Sequence, residues 1–298
     1  MSRTKKKISL TPYLFIAPAV IIFALFIVLP AVEGFWQSAF QRGIIARKDI
    51  PTLAPRFVGL ANYLRLAADP RFLDAFWKTL LFGAIFVPLT IAGALGLAII
   101  LQRKFAGVGL ARALVYWPSM MSPIIVGIAW KWILGYETGI LNYLLKLVGL
   151  APVPWLAEST PAFASVVMVS VWAQVGFFMV IYIAGLNAIP DSLYEAASLD
   201  GADRRQQFRL ITVPLLKPTT LLVLVLTTIN AFKVYQQVTV LTGGGPGRAT
   251  VFLVQNIYEE AFTRPNGVGY ASAQSVIFFL VMLALSVIQF RLGREEKA

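Results

Sequence analysis

The sequence predicts an all-α, polytopic membrane protein with about six transmembrane helices. Composition is the first reason. Of 298 residues, 58% are hydrophobic and only 13% charged, and the mean hydropathy is +0.74. Soluble domains carry roughly a quarter charged residues, so this chain has too few charges for a water-facing surface of its size. The second reason is pattern. The apolar residues fall into six runs near the roughly 20 residues that a helix needs to cross a bilayer core. The third is that basic residues collect between the runs, as they do beside membrane spans.

The six runs are justified in order. The first, about 13–33, follows Arg3, Lys5, Lys6 and Lys7. A secretory signal has an apolar core of about 7–15 residues. This run is longer, and Leu29-Pro30-Ala31-Val32-Glu33 is a poor cleavage site, so it reads as a retained helix. The second (about 79–101) and fourth (162–187) are uncharged. The third (113–134) is interrupted only by Lys131 and holds Pro118 and Pro123 five apart, which predicts a bent span because proline removes a helix hydrogen bond. The fifth (218–241) is interrupted only by Lys233, and the sixth (268–290) is uncharged. Residues 13–291 therefore read as one membrane domain, with tails at 1–12 and 292–298.

Six spans put both termini on one side. Arg3, Lys5, Lys6, Lys7, Arg103, Lys104, Arg112, Arg204, Arg205, Arg209, Lys217, Arg291, Arg294 and Lys297 fall on that side, at more than twice the density of basic residues opposite. The positive-inside rule then makes both termini cytoplasmic and the chain a multi-pass plasma- or inner-membrane protein. The same distribution accounts for the net charge of +12 without nucleic acid.

Several chemistries are excluded. The chain has no cysteine and no histidine, which removes thiolate nucleophiles, Cys-based zinc sites and the commonest general base. No Gly-x4-Gly-Lys-Ser/Thr loop is present to hold nucleotide phosphates, so the chain is expected to bind no cofactor and to be no enzyme. Gly243–Gly247 lacks the lysine and reads as a flexible turn.

The loop at 190–217 carries the most specific signal. Ser192 and Glu195 have capping-box spacing, which predicts a helix start. Gly201 offers a left-handed cap, and a second helix is expected from about Ala202 until Pro214 stops it. The result is a compact helix–turn–helix with small residues where another surface can approach. Glu195-Ala196-Ala197, then Gly201, then Ile211-x-x-Pro214 resembles the signature loop of binding-protein-dependent ABC importer permeases. Val213 stands where that family usually has Leu.

The resemblance extends along the chain. Phe57-Val58-Gly59-Leu60-Ala61-Asn62-Tyr63 is similar to an external segment of sugar permeases. Trp130-Lys131-Trp132 with Gly139-Ile140-Leu141-Asn142 is similar to the end of a core helix. Ala231-Phe232-Lys233 with Leu241-Thr242-Gly243-Gly244-Gly245-Pro246-Gly247 and Thr250 resembles the maltose- and glycerol-phosphate-type first permease. Gln236 stands where the family often has Asp. The resemblance implies a type I ABC importer permease fold in a bacterial or archaeal membrane. It implies a heterodimer with a second, different permease, and two copies of a cytoplasmic ABC ATPase holding ATP and Mg. It further implies a periplasmic or lipid-anchored solute-binding protein and a sugar or sugar-like substrate. Tyr194, Glu195, Ala196, Ala197, Asp200, Gly201, Ala202 and Pro214 would form the ATPase-coupling surface.

Polar residues inside spans are costly and tend to face a cavity or another helix. Gln174, Asn187, Asn230, Lys233, Tyr235, Gln236 and Gln237 are the candidates for a substrate pathway, with Trp172 and Tyr182 as stacking partners. In a continuous helix, Asn230, Lys233 and Gln237 share one face. An ion-coupled secondary transporter is the alternative reading. It needs intramembrane carboxylates, and the deep parts of the spans carry none.

Overall fold

The computed structural model describes residues 11–41, 56–103, 105–264 and 267–294. Most of the two tails, with Arg3, Lys5, Lys6, Lys7 and Lys297, lies outside the described residues, as does Lys104. The elements in chain order are α1 (Thr11–Phe23), α2 (Leu29–Gln37), β1 (Phe40–Gln41), β2 (Arg56–Phe57), α3 (Ala61–Ala68), α4 (Pro70–Leu101), α5 (Val108–Tyr116) and α6 (Pro123–Ile133). They continue with α7 (Ile140–Leu147), α8 (Ser159–Asn187), α9 (Asp191–Leu199), α10 (Arg204–Gln207), α11 (Val213–Leu215), α12 (Lys217–Phe232), α13 (Gln236–Leu241), α14 (Leu253–Thr263) and α15 (Val268–Arg294).

Four stretches are single helices long and apolar enough to cross a membrane: Leu14–Gln37, Pro70–Leu101, Ser159–Asn187 and Val268–Gly293. Two further candidates are bent pairs. Val108–Met120 and Pro123–Ile133 meet at 103°, and Arg204–Leu215 and Lys217–Phe232 at 65°. The first bend falls at Met121 and Ser122, between the two prolines, where Pro123 can start a new helix but cannot continue the old one. The fifth predicted span departs from expectation. It is not one helix over 218–241: α12 ends at Phe232, and α13 restarts at Gln236.

The described chain forms two compact units. In the unit of Pro70–Asn256 with Leu280–Ala298, α4 and α8 run parallel and form the core. Phe82 of α4 meets Phe163, near the start of α8, and Phe252, just before α14, and Ala94 and Ala98 admit Phe178, Met179 and Tyr182 further along. Small residues on one helix let the other approach closely, which replaces the hydrophobic drive that lipid does not supply. Gly176 shows the tightest approach in this core. A Cβ there would stand 2.0 Å from the Val115 carbonyl oxygen, so only glycine lets α8 pass α5.

In the unit of Met1–Asp69 with Ile257–Phe279, α1 and α2 continue through one wide turn at Ala24–Val28. No residue in the apolar window of this span is buried, a surface suited to lipid or another chain. Phe40 pairs with Phe57 in the two-residue ladder of β1 and β2, a small exception to an otherwise helical fold. Asn62 donates to the Ser38 and Phe40 carbonyls at 2.8 and 3.1 Å. The Tyr270 hydroxyl donates to Asp69 at 2.6 Å, under the Arg65 guanidinium 4.2 Å above its ring.

Candidate coupling surface and translocation cavity

The loop after α8 is a helical knuckle. α9 ends at Leu199, Gly201 turns the chain at φ +81°, and α10 begins at Arg204. The Ala202 N–H donates to the Ala197 carbonyl at 2.8 Å, which closes the left-handed cap. The capping box lies elsewhere than expected. Ser192 and Glu195 make none, because Pro190 sets the extended entry and α9 already starts at Asp191, leaving Ser192 inside the first turn. The box is instead made by Asp203 and Gln206. The Gln206 N–H donates to Asp203 Oδ1 at 2.7 Å, and the Asp203 N–H to Gln206 Oε1 at 2.8 Å.

Pro214 does not stop the second arm. Residues Phe208–Thr212 widen into a π turn in which the Val213 N–H donates to the Phe208 carbonyl. The wider turn makes room for the ring, and the helical path runs on to Leu215 before the bend into α12.

The two arms are stitched together. The Gln207 side chain donates to Ser198 Oγ at 2.9 Å, and Tyr194 Oη lies 2.9 Å from Thr212 Oγ1. Tyr194 and Ile211 pack against the ends of α4 and α8, and Tyr194 lines a concavity of about 500 Å³ with Ile99, Gln102 and Leu186. The other side is left open. Glu195, Ala196, Asp200, Gly201 and Pro214 are exposed, Ala197 and Ala202 half-buried, and Leu199 is 90% exposed. A Cβ at Gly201 would meet nothing within 4 Å.

A polar cavity of about 340 Å³ lies between the two broken helices and the middle of α8. Pro118, Ser119, Met121 and Pro123 contribute from the first bend, Gln174 and Phe177 from α8, and Asn230, Lys233 and Gln237 from the region of the second break. Asn230 Nδ2 donates to Gln174 Oε1 at 2.7 Å, and Gln237 Nε2 to Ser170 Oγ at 3.2 Å. Asn230, Lys233 and Gln237 do not share a helix face, since the helix ends between them. The break at Lys233–Tyr235 brings them to one cavity instead. A Cβ at Gly127 would stand 2.8 Å from the Gln237 carbonyl oxygen, so α6 and α13 close one wall through a glycine.

Other candidates sit elsewhere. Trp172 lines a separate apolar cavity of about 930 Å³ with Leu81, Leu89 and Phe163, and packs edge-on to Trp130. Tyr182 is fully buried, with its hydroxyl 3.4 Å from Thr220, so it offers no stacking face. Tyr235 and Gln236 do not line the polar cavity, and Asn187 is exposed at the end of α8.

Two structural sites were underread in the sequence. Asn142 is buried and makes four hydrogen bonds, donating to the Tyr136 and Val153 carbonyls and accepting from the Val153 N–H and Trp155 Nε1. Gly243–Gly247 is no flexible turn. Thr242 and Thr250 hydroxyls lie 2.7 Å apart, Thr250 donates to the Gly245 carbonyl, and Lys78 donates to the Arg248 carbonyl at 2.8 Å. The motifs were visible; their hydrogen bonds, most of them to residues within 13 positions and one from Lys78 170 positions away, depend on how the loops fold.

Spans broken around a polar cavity, with an open helical knuckle where α4 and α8 end, define a membrane transport permease. The family model described as "Binding-protein-dependent transport system inner membrane component" matches residues 66–295, which include knuckle and cavity. A probable ABC transporter permease protein, YurN of Bacillus subtilis, is 37% identical over 96% of this chain and 97% of its own length. The trehalose/maltose transport system permease protein MalF of Thermococcus litoralis is 35% identical over 99% and 98%. The sn-glycerol-3-phosphate transport system permease protein UgpA of Agrobacterium fabrum is 35% identical over 94% and 93%. A chain of a bacterial ABC transporter for alginate import shares the fold, with a TM-score of 0.81 at 22% identity over 96% of this chain and 95% of that one. The chain belongs to the binding-protein-dependent inner-membrane permease family of ABC importers.

Proposed function

We propose that the chain is one of two different permeases of an ATP-driven importer, and that it passes a sugar or sugar-like solute across the membrane by alternating access. The relatives are described by trehalose/maltose and glycerol-phosphate transport, and the shared chemistry of those solutes is a polyhydroxylated carbon chain. A solute-binding protein would deliver the solute on the outer side. A related alginate transporter is described in complex with an alginate pentasaccharide-bound periplasmic protein.

The observation that carries the reading is the knuckle at Asp191–Leu215. Its inner side is tied to α4 and α8 while its outer side is unfilled. ATP hydrolysed by a cytoplasmic ATPase dimer would move Tyr194, Glu195, Ala196, Ala197, Asp200, Gly201, Ala202 and Pro214 as one body. The Tyr194–Thr212 brace would pass that motion into α8 and the broken span beyond Leu215. The cavity at Gln174 and Asn230 would then face each side in turn. The lack of carboxylates between Glu158 and Asp191 and between Asp203 and Glu259 disfavours ion coupling through these segments.

A cysteine at Ala197 tests this in the assembled transporter. A crosslink to the ATPase subunit is expected. Capture of no ATPase, or labelling of Ala197 from outside the cell, defeats the reading.

A further inference from the structure

The polar cavity is charged in one sign only. Lys233 is the single ionic group among its lining residues; the others that can hydrogen-bond through side chains are Ser119, Gln174, Asn230 and Gln237. No carboxylate of the chain is available in the neighbouring spans. No Asp or Glu occurs between Asp74 and Glu137, between Glu158 and Asp191, or between Asp203 and Glu259, and the lining residues all fall inside those three stretches. Gln174 lies near the middle of the 29-residue α8, so the cavity sits far from both ends of a long apolar helix.

An ammonium at that depth is costly unless an opposite charge meets it. Lys233 follows the last residue of α12, whose terminal carbonyls carry a partial negative charge of roughly half a unit. That offsets part of the ammonium and leaves net positive charge facing the cavity. A second observation points the same way. Neutral saccharides are gripped largely by aromatic faces, and the cavity offers one aromatic residue, Phe177; Trp172 and Tyr182 are turned elsewhere.

Resting on the permease reading, we propose that the cavity is built for an anionic solute: a carboxylate- or phosphate-bearing sugar or polyol whose acidic group is met by Lys233. Gln174, Asn230, Gln237 and Ser119 take the hydroxyls. The solute supplies the counter-charge that the chain omits, so the Lys233 ammonium is paired when the cavity is loaded and faces it alone when it is empty. A charge-assisted hydrogen bond from Lys233 is stronger than the amide contacts around it and sets the preference. A uronate and a sugar phosphate share this chemistry.

The test uses the purified complex of both permeases with the ATPase, without the binding protein, so that the cavity alone selects. Calorimetric binding of trigalacturonate is compared with maltotriose, and of glucose 1-phosphate with glucose. The acidic member of each pair is expected to bind at least tenfold tighter, with the gap closing at high salt. Tighter binding in the first pair alone names a carboxylate solute, and in the second pair alone a phosphate. Lys233→Gln is expected to erase the preference and Lys233→Arg to keep it. Equal or better binding of both neutral members by the unaltered complex overturns the proposal, as does a Lys233→Gln complex that retains the preference. ATP-dependent uptake of trigalacturonate and of glucose 1-phosphate that is unchanged by Lys233→Gln overturns the anion assignment and leaves the permease reading standing. Loss of all ATP-dependent uptake in the complete unaltered transporter defeats both.

Discussion

The knuckle at Asp191–Leu215 and the loop at Gly243–Leu253 both turn on left-handed glycines, yet they are finished in opposite ways. At Gly201 the space around a Cβ is empty, and Leu199 beside it is 90% exposed. At Gly244, φ +89°, a Cβ would stand 2.6 Å from both Val251 Cγ2 and Gln255 Nε2, and Thr250, Phe252 and Leu253 are buried. The Thr79 hydroxyl accepts from the Leu253 N–H at 2.9 Å, and Lys78 holds the Arg248 carbonyl. One turn is closed by its own chain; the other has its backbone satisfied but its apolar tip uncovered. An apolar residue held rigidly in the open, on a scaffold of capped helices, is how a protein presents an anchor to a partner. The difference separates a turn closed for stability from one whose open tip is proposed above to meet a partner.

Alanine at the two glycines should break the comparison most sharply. Gly244→Ala adds strain at positive φ to overlap with a packed side chain, and should cost about 3 kcal/mol or more. Gly201→Ala meets only the backbone term and should cost about 1 kcal/mol. Thermal unfolding of the purified permease in detergent reads both. Equal shifts at the two positions would mean that the loop is not packed as described.

Leu199→Asp should follow in size and act on a different quantity. The side chain touches little of its own chain, so the melting temperature should hold while ATPase association weakens at least tenfold. That is about 1.4 kcal/mol, the scale of a modest interface hot spot. Sedimentation or pull-down with the partner ATPase measures it. A variant that binds the ATPase normally would make the exposed leucine an ordinary surface residue.

What the sequence made legible follows from where each signal resides. The apolar runs, the kink between Pro118 and Pro123 and the left-handed Gly201 are local properties of the chain, and the structure contains each of them. The break at Lys233–Tyr235 was not legible, because Phe232-Lys233-Val234-Tyr235 contains no helix breaker. It is imposed by packing, with Gly127 admitting the α13 backbone against α6. The misplaced capping box has a local cause: both Ser192–Glu195 and Asp203–Gln206 fit the spacing, and the entry angle set by Pro190 decided between them. Tyr182 looked like a sugar platform by type alone, and only the close packing of α4 on α8 buries it. Of the pathway candidates, Gln174, Asn230, Lys233 and Gln237 reached the cavity; Tyr235, Gln236, Asn187 and the aromatic pair Trp172 and Tyr182 did not.

The cavity lies between the two extremes, and the substitution at Asn230 carries the smallest expected free-energy effect. Asn230 is exposed to the cavity and donates one hydrogen bond to Gln174. Asn230→Leu removes that donor, but the Gln174 oxygen stays within reach of water, so the loss should be about 0.5–1 kcal/mol of stability. Transport should respond more than folding does. A leucine replaces two hydrogen-bonding groups with a branched apolar end beside Lys233, so the apparent KM for uptake should rise several-fold. ATPase association through the distant knuckle should be unaltered. Uptake measured with binding protein in excess separates the two roles. A changed KM at constant association places Asn230 on the solute's path, whereas a lowered melting temperature with unchanged KM makes its bond to Gln174 a brace between α8 and α12.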